Sequence, residues 1–353
     1  MSAPAWLRRH AGRLVLAGLA GTGLLAVWGF VEPGIALAGW LAGLLFWLGI
    51  ALGAYAVLAL HALTGGLWLA PLFPVLAPAV ATLPVFALLA LPLLLDAAAV
   101  WPWVADPAVM PRAVVVQWYL NLPGFVLRGA LALAGWSVFG MLLVGGRARR
   151  PAVGAPALIF HVVAVTILGV DWILSLEPPF RSTVFGASLG VTQLLAALAW
   201  AALLEPEPQG FRGKAGDLAQ LIMAAAIGAI YLGFAQFLVS WYGNLPDKAD
   251  WFLKREAPPW ILLQGGTVAL TALSPIAALL PAVMRRSPRA LAWIGAGVLA
   301  GVWMHIVWLV GPTFGPRAIG SAALGTLAMG GIWMGLAGGP FAARLGREVP
   351  HGA

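Results

Sequence analysis

Long apolar runs separated by short polar clusters dominate the chain, and ten of them approach the ~20 residues an α-helix needs to cross a bilayer. They fall at 14–31, 35–62, 70–95, 122–145, 152–176, 183–204, 217–241, 259–284, 290–311 and 317–340. The pattern predicts an all-α, polytopic membrane protein of ten transmembrane helices in a single integral domain over 1–353. The third run carries Pro71, Pro74, Pro78, Pro84 and Pro92, so a kinked helix is expected there, with neighbours satisfying the freed carbonyls. Glycines four apart (Gly39/Gly43, Gly49/Gly53, Gly186/Gly190, Gly297/Gly301) predict close helix crossings. The first run could instead be a signal peptide, because Ala36-Leu37-Ala38 imitates a cleavage site. Its length from Leu14 to Val31 exceeds a usual signal core, which favours a retained helix.

One run departs from plain hydrophobicity. In the seventh helix Asp217, Gln220 and Tyr231 fall within about 60° of one another at 100° per residue. Hydrogen-bonding groups are costly in hydrocarbon and normally face a bundle interior, so this face is expected to look inward. The segments Trp118-Tyr119-Leu120-Asn121-Leu122-Pro123 and Trp241-Tyr242-Gly243-Asn244-Leu245-Pro246 echo each other before the fourth and eighth helices. On that echo, 35–176 and 183–311 form two parallel four-helix repeats, with the first and tenth helices peripheral. An aromatic belt followed by a turn would give the same echo.

Composition narrows the chemistry. At 62% hydrophobic, 9% charged and 18 Trp, with a mean hydropathy of +0.95, the bilayer is the solvent and the net charge of +8 describes orientation, with no nucleic-acid partner. Arg8, Arg9, Arg13, Arg147, Arg149, Arg150, Arg212, Lys214, Arg285, Arg286, Arg289, Arg344 and Arg347 lie at the termini and alternate loops. Only Arg112, Arg181, Lys248, Lys254, Arg255 and Arg317 lie opposite, and Arg128 lies within a helix. That bias expects both termini in the cytoplasm. Without cysteine the chain has no disulfide, thiolate-held iron–sulfur cluster, covalent c-type haem or Cys-based zinc site.

The intramembrane ionisable groups are the candidate chemistry. Arg128 and Asp171 are expected at similar depth under the outer boundary, either as a salt bridge between helices or as a station on a proton or quinol path. Asp217 either caps the seventh helix or admits protons. His161, near mid-depth, and His305, on the outer side, read as proton-relaying or carbonyl-bonded imidazoles ahead of a haem b ligand pair; no metal is expected. His61 reads as an interfacial residue. The outer connections 96–121 and 244–260, with Trp101, Trp103, Trp251 and Trp260, read as solvated loops or as docking loops for an external partner.

The segments LGIALGAYAVLALHALTGGLW (48–68), WYLNLPGFVLRGAL (118–131), VDWILSLEPPFRSTVFG (170–186) and DLAQLIMAAAIGAIYLGFAQFLVSWYGNLPDKADWFLKR (217–255) resemble the NrfD-related membrane subunits of alternative complex III, of the ActF type. The resemblance implies a ten-helix subunit without covalent cofactors, not catalytic alone, in a quinol:cytochrome c or quinol:oxidase complex. It implies iron–sulfur and c-haem partner subunits, a terminal oxidase as one acceptor, and a paralogous NrfD-like membrane subunit that holds the main quinol site, and it leaves open whether quinone or quinol also contacts this chain. It carries proton half-channels onto Arg128, Asp171, Ser175, Asp217, Tyr231 and Gln236. The expected path runs through Asp217, Gln220, Tyr231, His161, Asp171, Arg128 and His305. A purely structural anchor is the competing reading. An independent secondary transporter is a third, disfavoured because the echo is parallel and not inverted.

Overall fold

In the computed structural model, which describes residues 3–147, 151–204, 215–243 and 245–337, the chain is built of helices, with no strand among those residues. Ten helices are long and apolar enough to cross a membrane: α1 Arg9–Gly29, α2 Pro33–Thr64, α3 Phe73–Leu94, α4 Leu122–Gly145, α5 Pro151–Leu176, α6 Phe185–Leu204, α7 Gly216–Tyr242, α8 Trp260–Leu279, α9 Pro288–Thr313 and α10 Arg317–Ala337. The boundaries match the apolar runs to within a few residues, except that α8 stops at Leu279. There Pro281 breaks the chain into a short helix, Ala282–Arg285, because proline removes a helical N–H and clashes with the preceding turn.

The proline-rich helix is interrupted as expected. α3 breaks into Phe73–Ala81, Leu83–Ala90 and a tight turn at Leu91–Leu94. At the break the Thr82 hydroxyl donates to the Ala79 carbonyl at 2.7 Å, and the Trp333 indole of α10 donates to Thr82 Oγ1 at 2.8 Å. A neighbouring helix therefore supplies the polar partner that lipid lacks.

Helices α2 to α5 pack in a ring, each on the next and α5 back on α2; α6 to α9 form a second ring in the same order. The rings meet where α2 packs on α6. α10 lies along α2, and α1 lies along α10 at the rim. Glycine sets the closest crossings: a Cβ on Gly43 of α2 would stand 2.7 Å from the Gly325 carbonyl oxygen of α10. On α9, a Cβ on Gly301 would stand 2.8 Å from Leu270 Cβ of α8. Without a side chain, backbones approach until van der Waals contact is complete, which is what holds helices together in an apolar solvent.

One end of the rings is capped. The connection 96–121 folds into short helices at Ala97–Val100, Pro102–Ala105 and Ala113–Trp118, and 246–253 into another. The four tryptophans expected to offer a docking surface point inward: Trp101, Trp103, Trp251 and Trp260 are all buried. Trp101 packs on Phe125 with ring centroids 4.7 Å apart, and Trp251 packs against Trp308 at 4.9 Å. Their large apolar surfaces close the ring ends, which gains more than exposing them would.

Candidate functional site

Asp171 and Arg128 meet. Near its capped end α5 loosens into a wide turn at Gly169–Ile173, a one-turn π-type bulge that rotates the helix and re-aims the side chain it carries. Asp171 sits in that turn, fully buried, and Ser175 donates to the Asp171 carbonyl. Arg128 lies two turns into α4, whose start is fixed by the Asn121 side chain accepting from the Gly124 N–H at 2.9 Å. Its Nε donates to Asp171 Oδ2 at 2.7 Å, its Nη1 donates to the Tyr119 carbonyl at 2.9 Å, and its guanidinium lies 4.0 Å from the Tyr119 ring centroid. Arg128 Nη2 and Asp171 Oδ1 are buried without a partner. Tyr119 stands just outside α4, and burial first, then the Asp171 carboxylate, pushes its phenol up to about 12. The cluster is one cation, one carboxylate with a free oxygen and one neutral phenol, held where two spans end.

His161 lies deeper in the same ring, about 15 Å below Asp171 along α5 at 1.5 Å per residue. Its imidazole is buried beside Tyr55 and Trp136, with ring centroids 5.7 and 6.1 Å away. The Tyr55 hydroxyl donates to the Ala157 carbonyl at 3.0 Å, while His161 Nδ1 and Trp136 Nε1 have no partner. Polar atoms thus continue inward from Asp171, separated by apolar packing.

The second ring encloses a cavity of about 510 Å³ between α6, α7, α8 and α9 at their capped halves. His305 faces it from α9, Gln264 from α8 and Gln236 from α7, with Ser188 and Thr192 on α6. His305 Nδ1 and Gln264 Oε1 are unpartnered. The cavity exists because α7 packs on α8 only through the inner half, Ala269–Leu279, and not closely through Trp260–Val268. The divergence begins at a second wide turn, Ala269–Leu273, where the Thr271 hydroxyl bonds back to the Thr267 carbonyl at 2.8 Å. Exposed Phe234, Phe237 and Ile261 flank the resulting gap.

An ion-pair knot that sequence reasoning missed closes the roof of this cavity. Arg255 is 2% exposed. It pairs with Glu177 from the α5–α6 connection, donates to the Trp251 carbonyl at 2.8 Å and to the Trp308 carbonyl at 3.2 Å, and lies 3.6 Å from the Trp251 ring centroid. Lys254 also reaches Glu177, at 3.3 Å. Burial lowers the Arg255 pKa, and the Glu177 carboxylate offsets only part of that. Its signal was a carboxylate inside SLEPPF and a cation beside Trp251, groups that loop position alone assigns to solvent.

The path expected from sequence is brought together only in part. Arg128 and Asp171 touch, and His161 follows in their ring. His305 stands in the other ring, so the two histidines do not face each other as a ligand pair. Among the described residues no group of three His, Asp or Glu is placed to hold a metal. Asp217, Gln220 and Tyr231 do share one face of α7, but it is the outer face: all three are exposed, Tyr231 at 67%. The inward face is the stripe Leu218, Ala219, Ile222, Ala225 and Ala226, which lies about 180° from the polar groups at 100° per residue. Small residues let α6 approach α7 there, and packing, not polarity, chose the buried side. Gln236, near the capped end, does reach the second-ring cavity. No family model matches the chain, and no curated protein matches it.

Proposed function

We propose that this chain is an integral membrane subunit of a quinol-oxidising respiratory complex, working beside iron–sulfur and c-haem subunits and a paralogous membrane subunit in a bacterial inner membrane. The quoted segments supply the resemblance to NrfD-like subunits on which this reading rests. The observation that carries the chemistry is the buried Arg128–Asp171 pair. A buried carboxylate at a span end, paired with Arg128 beside Tyr119 and with one oxygen lacking a partner, is a group that can take up and release a proton. His161 continues that arm inward. Asp217, Gln220 and Tyr231 belong to the path as groups over which the neighbouring subunit closes.

Quinone is the substrate of the reading, and the residues that fit its ring are those of the second-ring cavity. His305 and Gln264 offer unpartnered polar atoms within apolar walls, and the gap between α7 and α8 opens sideways, the direction from which a lipid-soluble molecule arrives. Electron transfer would be the work of the partner subunits.

Asp171→Asn in the assembled complex tests the proton arm. The substitution keeps the size and one hydrogen bond to Arg128 but abolishes protonation. Quinol-driven turnover or proton uptake is expected to fall by about 10²–10⁴-fold if the group transfers the proton in the limiting step, with assembly intact. Unchanged turnover and proton stoichiometry would leave Asp171 as a strut and favour the anchor reading.

A further inference from the structure

A second cavity, about 290 Å³, sits at the capped end between the 96–121 connection and the junction of α5 with α6. Its walls are apolar, with Met110 and Val115 on one side and Val170, Leu174 and Phe180 on the other. Three cations border it: Arg112, Arg181 and Lys248. They come from three separate connections, so the fold, not a local charge run, gathers them.

None of the three joins an ion pair among the described residues, whose four pairs use Arg128, Lys254, Arg255 and Arg317. Among the described residues, Asp171, next to Val170, is paired with Arg128, and Glu177, next to Pro178, with Arg255 and Lys254. Tyr119 on the wall stays neutral, its phenol pushed up to about 12, and offers no counter-charge. Three like charges around one hollow repel unless an anion occupies it. Ser182 and Thr183 add hydroxyls to the border. α6 begins at Phe185, so the positive end of its dipole lies on the same side.

Depth identifies the ligand. α4 starts at Leu122, α5 ends at Leu176 and α6 starts at Phe185, so the cations stand where spans leave the hydrocarbon, at headgroup level. The apolar wall runs from there down α5 through Leu174 to Val170. A hollow of this volume admits a headgroup and a few methylenes, not the face of a protein. We propose that this cavity binds an anionic phospholipid, its phosphate between Arg112, Arg181 and Lys248 and its glycerol and first acyl carbons against Leu174 and Val170. A zwitterionic choline headgroup is disfavoured because its ammonium would meet three cations.

The test uses the full chain, purified and delipidated in detergent. Dioctanoyl-phosphatidylglycerol, dioctanoyl-phosphatidylcholine, inorganic phosphate and a polyglutamate peptide are titrated separately, with bound mass read by native mass spectrometry and the thermal midpoint read in parallel. Phosphatidylglycerol should bind with a stoichiometry of one at this site and raise the midpoint, and phosphatidylcholine should not. R112Q/R181Q/K248Q should weaken phosphatidylglycerol binding by about fivefold for each cation removed. Should the triple variant fail to fold, each single glutamine variant should show its own fivefold step. Equal binding of the two lipids, or undiminished binding by the variants, overturns the proposal. Inorganic phosphate reproducing the whole midpoint shift would make the hollow a free-anion site, and binding of the peptide in place of the lipid would assign it to an acidic protein; either result overturns the lipid.

Discussion

Among single residues, Arg255 has the most at stake. Its guanidinium is buried under two tryptophan rings, its centre 3.6 Å from Trp251 and 5.4 Å from Trp308, and Glu177 is its counter-charge. A buried charge is costly, and the pair is tolerated because hydrogen bonds to the Trp251 and Trp308 carbonyls take up the remaining donors. Removing only the acid leaves the cation without compensation. Glu177→Ala is expected to lower unfolding stability in detergent by about 3–5 kcal/mol, whereas R255L/E177L, which removes both charges and refills the site, should cost clearly less. Equal losses in the two proteins would mean that charge pairing is not what holds this roof. Asp171 differs in kind: its pair with Arg128 leaves polar atoms unused, and the proposed proton chemistry rests on that difference, while Arg255 ties the roof.

At the scale of elements, α10 and α2 cross at glycines, and the packing separates two sorts of glycine. Gly43 touches Gly325, while Gly23 of α1 has nothing within 4 Å of an added Cβ. Gly43→Ala should therefore destabilise by about 1–3 kcal/mol through forced separation of the helices. Gly23→Ala should be neutral or stabilise by about 0.5–1 kcal/mol, because the freer backbone is restrained. Denaturant titration of both variants checks the contrast, and a neutral Gly43→Ala would show that the crossing has slack. The glycine crossings and the ten spans were legible because lipid imposes length and close contact directly on the chain. The wide turn at Gly169–Ile173 was not, since no proline marks it and it follows from how neighbouring helices fit, whereas Ala269–Leu273 had a signal in Pro275, which cannot donate to the Thr271 carbonyl. The buried face of α7 is legible in its apolar stripe of Leu218, Ala219, Ile222, Ala225 and Ala226, whereas the polar groups opposite do not mark it, because their cost in lipid does not require burial within this chain.

At the scale of the molecule that cost still has to be met. α1 and α7 are the least covered helices, with 11% and 17% of their spans buried, yet they differ in what they show. α1 presents Leu16, Leu19, Leu24 and Val27, ordinary surface for acyl chains. α7 presents Gln220 and Tyr231, about 16 Å apart along one line at 1.5 Å per residue. An uncovered glutamine inside a span is costly, so the lowest-energy arrangement places another polar helix against this line. That closes the inner part of the proposed proton route from outside, at a subunit boundary, while Asp171 and His161 form an arm inside the first ring. The two roles separate in one variant. Q220L/Y231F should leave the isolated chain within about 0.5 kcal/mol of the parent, because neither side chain packs on it. Association with the proposed partner membrane subunit should weaken about 8–300-fold, as intramembrane hydrogen bonds contribute from ~0.6 to ~1.7 kcal/mol each and two are removed. Quantitative co-purification across a detergent or salt series gives the second number and thermal unfolding the first. A destabilised isolated chain would place the line inside a self-contained path, and unchanged co-purification would return it to plain lipid-facing surface.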